Sequence, residues 1–403
     1  MQISRRAFTN TLAAGAAQKP GTVYDVAVIG AGVFGAWTAY FLRRRGQSVA
    51  LVDAYGPANS RASSGGESRI IRMGYGSDEI YTQWSLRSLS LWREFFRQRA
   101  EVLFHRTGVL WFGHANHAQS RESRRVLRKF AIPFETLDER ELARRYPQIQ
   151  VQPGMIAVLE PDSGALMARR CVQALAEEAV RAGCAYIPAA VSGPAGKGRL
   201  DSVRTLHHDA IRAGLFVFAC GPWLGKVFPD LLGSRIFPTR QEVFFFGVPP
   251  GDARFAPPAM PVWIDFSDPR GPYGFPDLEN RGFKLAFDIH GPRFDPDTGS
   301  RLVNAKGSAA ARSFLAGRFP ALTEAPLVES RVCQYENTSS GDFLIDRHPD
   351  FSNVWLVGGG SGHGFKHGPA LGEYVTARLL DGDPVERRFS LATKERVQHR
   401  SVY

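Results

Sequence analysis

Three glycines, Gly30, Gly32 and Gly35, stand in the order G-x-G-x-x-G, and an acid, Asp53, follows 23 residues after the first. Glycines at those spacings permit a tight turn, let a backbone approach a pyrophosphate, and let a helix pack closely on a strand. The acid can accept from a ribose hydroxyl. This chemistry needs a strand, a helix and a second strand in that order. VYDVAVIG is a β-branched run suited to a buried parallel strand, AWTAYFLRRRG reads as a helix ending in cations with Gly46 as its C-terminal cap, and SVALVD is a strand ending at Asp53. The result is a βαβ dinucleotide fingerprint, which does not by itself separate FAD from NAD. Positions 26–42 carry no charge, but the glycines among them argue against a membrane span.

At 403 residues the chain exceeds one core and calls for two closely associated domains. Hydrophobic residues at 44% and charged residues at 22% describe an ordinary globular protein, without repeats, low-complexity stretches or a coiled coil. A net charge of +11 suggests nucleic acid, acidic lipid or small anions as partners. The basic residues are scattered, as in Arg43 to Arg45 and the arginines of 121–128, and lack interleaved aromatics, so a solvated surface is expected and nucleic acid is not. The four cysteines, Cys171, Cys184, Cys220 and Cys333, show neither CxxC spacing nor a pairing pattern, which argues against a disulfide framework or zinc and for no metal. Residues 1–21 include Ser4-Arg5-Arg6-Ala7-Phe8 and an A-x-A triplet at 14–16, the order of a twin-arginine leader. Its apolar stretch is short and broken by Thr9, Asn10 and Thr11, so a cytoplasmic protein and a periplasmic one both stand.

Two later segments read as parts of the dinucleotide domain. GLFVFACGPW (214–223) is a strand breaking at Gly221, and 353–380 is strand, glycine-rich turn and helix. The aromatic, alternating segments 104–112, 236–248 and 272–290 read as strands of a large mixed or antiparallel sheet. The expected fold is α/β, an α+β two-domain chain. One domain is built discontinuously from 22–103, 160–234 and 330–390 and the other from 104–159 and 235–329, with a tail at 391–403.

ASSGGESRIIRMGYG from Ala62, RVCQY from Arg331 and SGHGFKHG from Ser361, with TGVLWFG, EPDSG and PYGFP between the first and second, occur in an order that resembles the monomeric sarcosine oxidase and N-methyl amino acid oxidase group of flavoproteins. The resemblance runs from about residue 23 to about residue 389. It implies a Rossmann-like FAD domain of glutathione-reductase type and a substrate domain whose sheet covers the isoalloxazine. FAD would be held by Gly30, Gly32, Val33, Phe34, Gly35, Asp53, Ser63, Ser64, Ser68, Arg69, Val191, Cys220, Gly221, Trp223, Gly360, Gly362, His363, Gly364, Phe365 and Lys366, with a covalent 8α-S-cysteinyl link through Cys333. Arg72 and Lys366 would hold a substrate carboxylate, arginine as a bidentate clamp and lysine as a point charge. Tyr273 and Tyr335 would wall the pocket, Lys284 would activate oxygen, and Arg69 and His363 would lie at the reacting centre. Each has a plainer alternative: surface cations, an inert buried thiol, core tyrosines, and a histidine bonded to backbone.

The implied reaction oxidises the C–N bond of a small secondary amino acid, N-methyl or cyclic, to an imine, with O2 reduced to H2O2 by a monomeric enzyme. The rivals are a dehydrogenase passing electrons to a quinone or carrier protein, an NAD-dependent dehydrogenase, and a non-catalytic basic binding protein. Departures from the family pattern fall around the pocket. Ser64 and Gly65 stand where the group carries a histidine pair, Met73 replaces a histidine, and Asp288 stands four residues after Lys284 in place of another, with His290 two further on. Asp288 suits a substrate with a second amine, or a pairing with Arg293.

Overall fold

The computed structural model describes residues 21–207 and 209–399; the leader motif and residues 400–403 of the tail lie outside them. A seven-stranded sheet has five parallel strands in the order Val354–Gly358, Ala210–Phe218, Val23–Ile29, Val49–Asp53 and Ala185–Pro188, with Leu344–Arg347 and Ser202–Arg204 added antiparallel. The β-branched run is central, and its last four residues are buried on both faces, as a covered parallel strand requires. The helix Val33–Arg44 then crosses the sheet with Ala36, Trp37, Ala39 and Leu42 fully buried or nearly so.

Close approach explains two of the three fingerprint glycines. Gly30 sits at φ +106°, and a Cβ there would lie 2.3 Å from the Ala219 carbonyl oxygen; a Cβ on Gly35 would lie 1.9 Å from that of Gly30. The last helix, Gly368–Leu380, packs on Val33–Arg44 just as tightly, since a Cβ on Gly372 would fall 2.7 Å from the backbone of Trp37.

An eight-stranded sheet runs Leu327–Asn337, Phe237–Phe246, Phe283–Phe287, Pro272–Phe275, Val262–Asp265, Val109–His114, Met155–Glu160 and Glu135–Leu137. It is antiparallel except where Val262–Asp265 meets Val109–His114. The segment 104–112 does not form one strand. Phe104–His105 joins a small sheet with Arg69–Ile71 and Gly164–Leu166, and Gly108 at φ +72° turns the chain into the large one. Segment 272–290 likewise divides into two antiparallel strands, because Glu279 and Asn280 take left-handed backbone between them and Asp277 accepts from the Gly282 N–H at 2.7 Å.

The two large sheets meet at the end of Leu327–Asn337. The Ser361 N–H donates to the Glu336 carbonyl at 2.9 Å, and the buried Glu336 Oε1 accepts from the Gly359 N–H at 2.9 Å. A Cβ on Gly358 would lie 2.3 Å from that oxygen, so the carboxyl fills the junction. Burial pushes its pKa up to about 7, against the pull of the Gly359 and Gly360 N–H groups. A raised acid stabilises the fold fully below its ordinary value of 4.5 and loses that contribution as pH rises through about 7. The loss amounts to about 3 kcal/mol at most. Thermal melts of purified wild-type protein and Glu336→Gln across that range should therefore diverge, the wild type losing stability with pH and the variant holding flatter. Parallel curves would show that Glu336 does not titrate there.

Candidate active site

The turn after Val23–Ile29 opens a cavity of about 420 Å³ along the carboxyl ends of the parallel strands. Gly30, Gly32, Val33, Phe34, Asp53, Ser63, Ser64, Arg69, Val191, Cys220, Gly221, Trp223, Gly360, Gly362, Gly364 and Phe365 line it. Asp53 Oδ2 accepts from the Ala31 N–H at 2.7 Å and Ser64 Oγ from the Val33 N–H at 3.1 Å, which fixes the turn and the helix N-terminus together. Ser64, one of the departures, thus ties the 62–72 arm to the fingerprint. Its neighbour Gly65 has no room for a side chain, since a Cβ would fall 1.9 Å from the Asn59 carbonyl oxygen.

The donor set fits FAD. A glycine-lined helix N-terminus suits a pyrophosphate, Asp53 a ribose, and Val191 with Leu206, 61% exposed at the cavity, a base. Among the residues expected to touch the cofactor, Gly35 serves by packing under the turn rather than lining the space. Ser68, His363, Lys366 and Cys333 also lie outside this lining.

A second cavity of about 430 Å³ shares Arg69, Tyr335, Gly362 and Phe365 with the first, so the two open on a common wall. Arg72, Tyr273, Cys333, His363 and Lys366 line it, together with Asp288, Gln241, His117 and Gln119. Sequence reasoning did not find the last three, which come from remote segments without a local motif.

Arg72 and Lys366 meet on Tyr75. The Arg72 guanidinium lies over the Tyr75 ring at 4.6 Å from its centroid, and Lys366 Nζ donates to the Tyr75 hydroxyl at 2.7 Å and to the His363 carbonyl at 3.0 Å. The Tyr75 hydroxyl also lies 2.9 Å from His367 Nε2 and 3.4 Å from His363 Nδ1. Burial, then the charges of Lys366 and Arg72, hold the His367 pKa well below its ordinary value, so the ring stays neutral. His363 Nε2 donates to the Gly341 carbonyl at 3.0 Å, its Nδ1 lies 3.4 Å from the Tyr75 hydroxyl, and its ring stacks on Phe343.

The chain beyond Arg72 is pinned by buried Glu160, the first residue of the EPDSG motif. Its carboxylate accepts from the Met73 and Gly74 N–H groups at 2.7 and 3.0 Å, from Trp111 Nε1 at 3.0 Å and from Ser163 Oγ at 2.8 Å. Four donors satisfy a charge that burial would otherwise make costly. Met73 accordingly contributes its N–H to this cradle and buries its side chain.

Arg69 Nη2 donates to the Ser63 carbonyl at 2.8 Å and lies 3.4 Å from Cys333 Sγ. Burial works against the Arg69 charge, and Cys333, Tyr273 and Tyr335 outweigh it. Burial raises the thiols of Cys171, Cys184 and Cys220 above their ordinary value, which suits inert core groups. Lys284 is buried behind the arm, its Nζ donating to the Ser68 carbonyl at 3.0 Å and to Ser68 Oγ at 3.1 Å, 4.2 Å from the Phe275 ring centroid. Burial, reinforced by Arg69, lowers its pKa well below the ordinary ammonium range. Ser68 is therefore the partner of Lys284 and lines a small void beside it.

Among the described residues no helix is long and apolar enough to cross a membrane. A family model described as FAD dependent oxidoreductase matches residues 25–378. Monomeric sarcosine oxidase of Bacillus sp. (strain NS-129) is 31% identical over 383 residues, covering 93% of this chain and 97% of that protein. N-methyl-L-tryptophan oxidase of Salmonella heidelberg (strain SL476) is 30% identical over 376 residues, covering 90% and 96%. Among solved structures, L-proline dehydrogenase from P. horikoshii superposes with a TM-score of 0.78 at 19% identity, covering 92% of this chain and 97% of that one, a likeness of fold. With its dinucleotide cradle, its second cavity and this match over most of its length, the chain belongs to the FAD-dependent oxidoreductase family.

Proposed function

We propose that the protein oxidises the C–N bond of a small secondary amino acid, N-methyl or cyclic, to an imine and passes the electrons to O2. The observation that carries this reading is the pair of cations, Arg72 and Lys366, gathered on Tyr75 in a cavity that shares a wall with the cofactor cavity. Bound FAD supplies the acceptor for two electrons from the carbon next to nitrogen and returns them to O2, forming H2O2.

The substrate carboxylate lies on Arg72 and Lys366, replacing its hydration with charge-assisted hydrogen bonds and fixing the orientation of the amine. Tyr273 and Tyr335, whose hydroxyls are 3.4 Å apart, present rings that exclude water from the N-alkyl group. Burial, opposed by Arg69, pushes the Tyr273 phenol up to about 12, so it stays protonated at neutral pH. Arg69, Tyr335, Gly362 and Phe365, on the wall the two cavities share, would hold the ring of the cofactor, and Cys333, 3.4 Å from Arg69 Nη2, would hold it covalently. Lys284, whose ammonium form would stabilise negative charge developing on oxygen beside it, holds its proton weakly in its buried setting and would pass it to that oxygen. The relatives named for oxidation of sarcosine and N-methyl-L-tryptophan support the amine class.

Arg72→Gln should lower kcat/KM for an N-methyl amino acid by about 30- to 1000-fold, the equivalent of about 2–4 kcal/mol. An N-methyl alkylamine lacking the carboxylate should change by less than about threefold, and equal losses on both would remove Arg72 from carboxylate binding. Lys284→Met should slow reoxidation of reduced protein by air about 100-fold or more, with a far smaller effect on anaerobic reduction by amine; unchanged reoxidation would dismiss the role. Acid-precipitated wild-type protein should keep its yellow colour in the pellet, and Cys333→Ala should release it. Release from both would establish non-covalent FAD.

A further inference from the structure

Side chains from both sheets meet over the dinucleotide cavity, and one carboxylate joins them. Ala210–Phe218 and Val49–Asp53 are the two neighbours of Val23–Ile29 in the parallel sheet, so their carboxyl ends stand about 10 Å apart on either side of the fingerprint turn. Trp223 comes after the first of these strands and Tyr55 after the second, yet their rings approach to 5.5 Å between centroids. The two side chains therefore reach toward each other across the mouth of the turn, where the helix N-terminus suits a pyrophosphate.

Asp297 arrives from the other sheet. It lies in the connection after Phe283–Phe287, in a turn built by Asp295, whose Oδ1 accepts from the Asp297 and Thr298 N–H groups at 2.8 and 3.0 Å. Arg301 steadies the same turn, its Nη2 donating to the Pro296 carbonyl at 3.1 Å and its guanidinium lying over the Phe294 ring. From this base Asp297 Oδ1 accepts from Trp223 Nε1 at 2.7 Å and from the Tyr55 hydroxyl at 3.2 Å, while Oδ2 accepts from Lys226 Nζ at 2.6 Å. Tyr55, Trp223, Lys226 and Asp297 all line the cavity.

These bonds have the character of a fastening that opens. The Lys226 and Asp297 side chains are 42% and 33% exposed, so water and salt screen the pair and both groups regain hydration when they part. Tyr55 is exposed as well. The junction at Glu336, by contrast, is buried, and holds the two sheets together independently of the turn.

We propose that Asp297 fastens the turn 295–298 across the dinucleotide cavity as a clasp, which opens to admit FAD and closes behind it. The clasp bonds protein to protein and not to the cofactor, so it sets the barrier to exchange rather than the depth of the site. It concerns FAD alone and stands whether or not the substrate is an amino acid.

The test compares Cys333→Ala, in which the cofactor is exchangeable, with Cys333→Ala carrying Asp297→Ala. Release is timed by the rise of free-flavin fluorescence on dilution, and entry by its loss when FAD is added to the stripped protein. Removing the carboxylate should speed both release and entry by about tenfold and leave the Kd for FAD within about threefold. Lys226→Met in the same background breaks the fastening from the other side, guards against a folding defect of Asp297→Ala, and should move both rates in the same direction. Faster release with unchanged entry overturns the clasp and makes Asp297 an ordinary wall of the bound cofactor. Rates unchanged in both variants overturn it too, leaving the turn as a contact between the sheets.

Discussion

Two like charges buried side by side are the constraint around which the site is built. Arg72 and Lys366 cannot share a cavity cheaply, and the surrounding residues are arranged to lower that cost without neutralising the pair. Tyr75 offers its ring face to one cation and its oxygen to the other. His367, which would add a third charge if protonated, is kept neutral by burial and by the pair itself. On the reading proposed above, a carboxylate ligand would answer the charge of this pair. Glu160 binds the backbone directly after Arg72, and its two oxygens take four donors, from Met73, Gly74, Trp111 and Ser163.

This arrangement depends on the two large sheets meeting where they do. Leu327–Asn337 carries Cys333 and Tyr335 on the cavity wall and Glu336 at the junction. The parallel sheet contributes the fingerprint turn on one side of that junction and the turn before Gly368–Leu380 on the other. The same strand therefore sets the distance between the dinucleotide cradle and the substrate wall. The glycines of 358–364 let the connection pass close to it: a Cβ on Gly362 would lie 2.7 Å from the Tyr335 ring, and one on Gly364 the same distance from Phe34.

What the sequence disclosed follows the range of the interactions involved. Gly30, Gly35 and Asp53 were legible because their roles are local to one βαβ unit. Arg72, Lys366 and Cys333 came only through motif resemblance, which stands in for contacts that no periodicity encodes. Tyr75 passed unremarked inside its own motif, because its meaning depends on Lys366, 291 residues away. Glu160 likewise acts on Met73 across 87 residues. Lys284 defeated the alternation argument for a physical reason: the FKLAF strand is buried at four successive positions, so there is no polar face from which to read its direction. The strands within 104–112 and 272–290 were recognised, but their breaks at Gly108 and at Glu279 and Asn280 depend on backbone conformations that composition only weakly signals.

The central claim is that a secondary amino acid delivers electrons to FAD in the cavity beside Arg72 and Lys366. Its most direct test is to mix purified yellow protein anaerobically with a panel of N-methyl and cyclic amino acids and follow the visible flavin band. The account predicts that at least one of them bleaches the band, that the corresponding amine without its carboxylate does so far more slowly, and that admitting air restores the colour with release of peroxide. A band that survives every secondary amino acid, or that bleaches equally with and without the carboxylate, would contradict it.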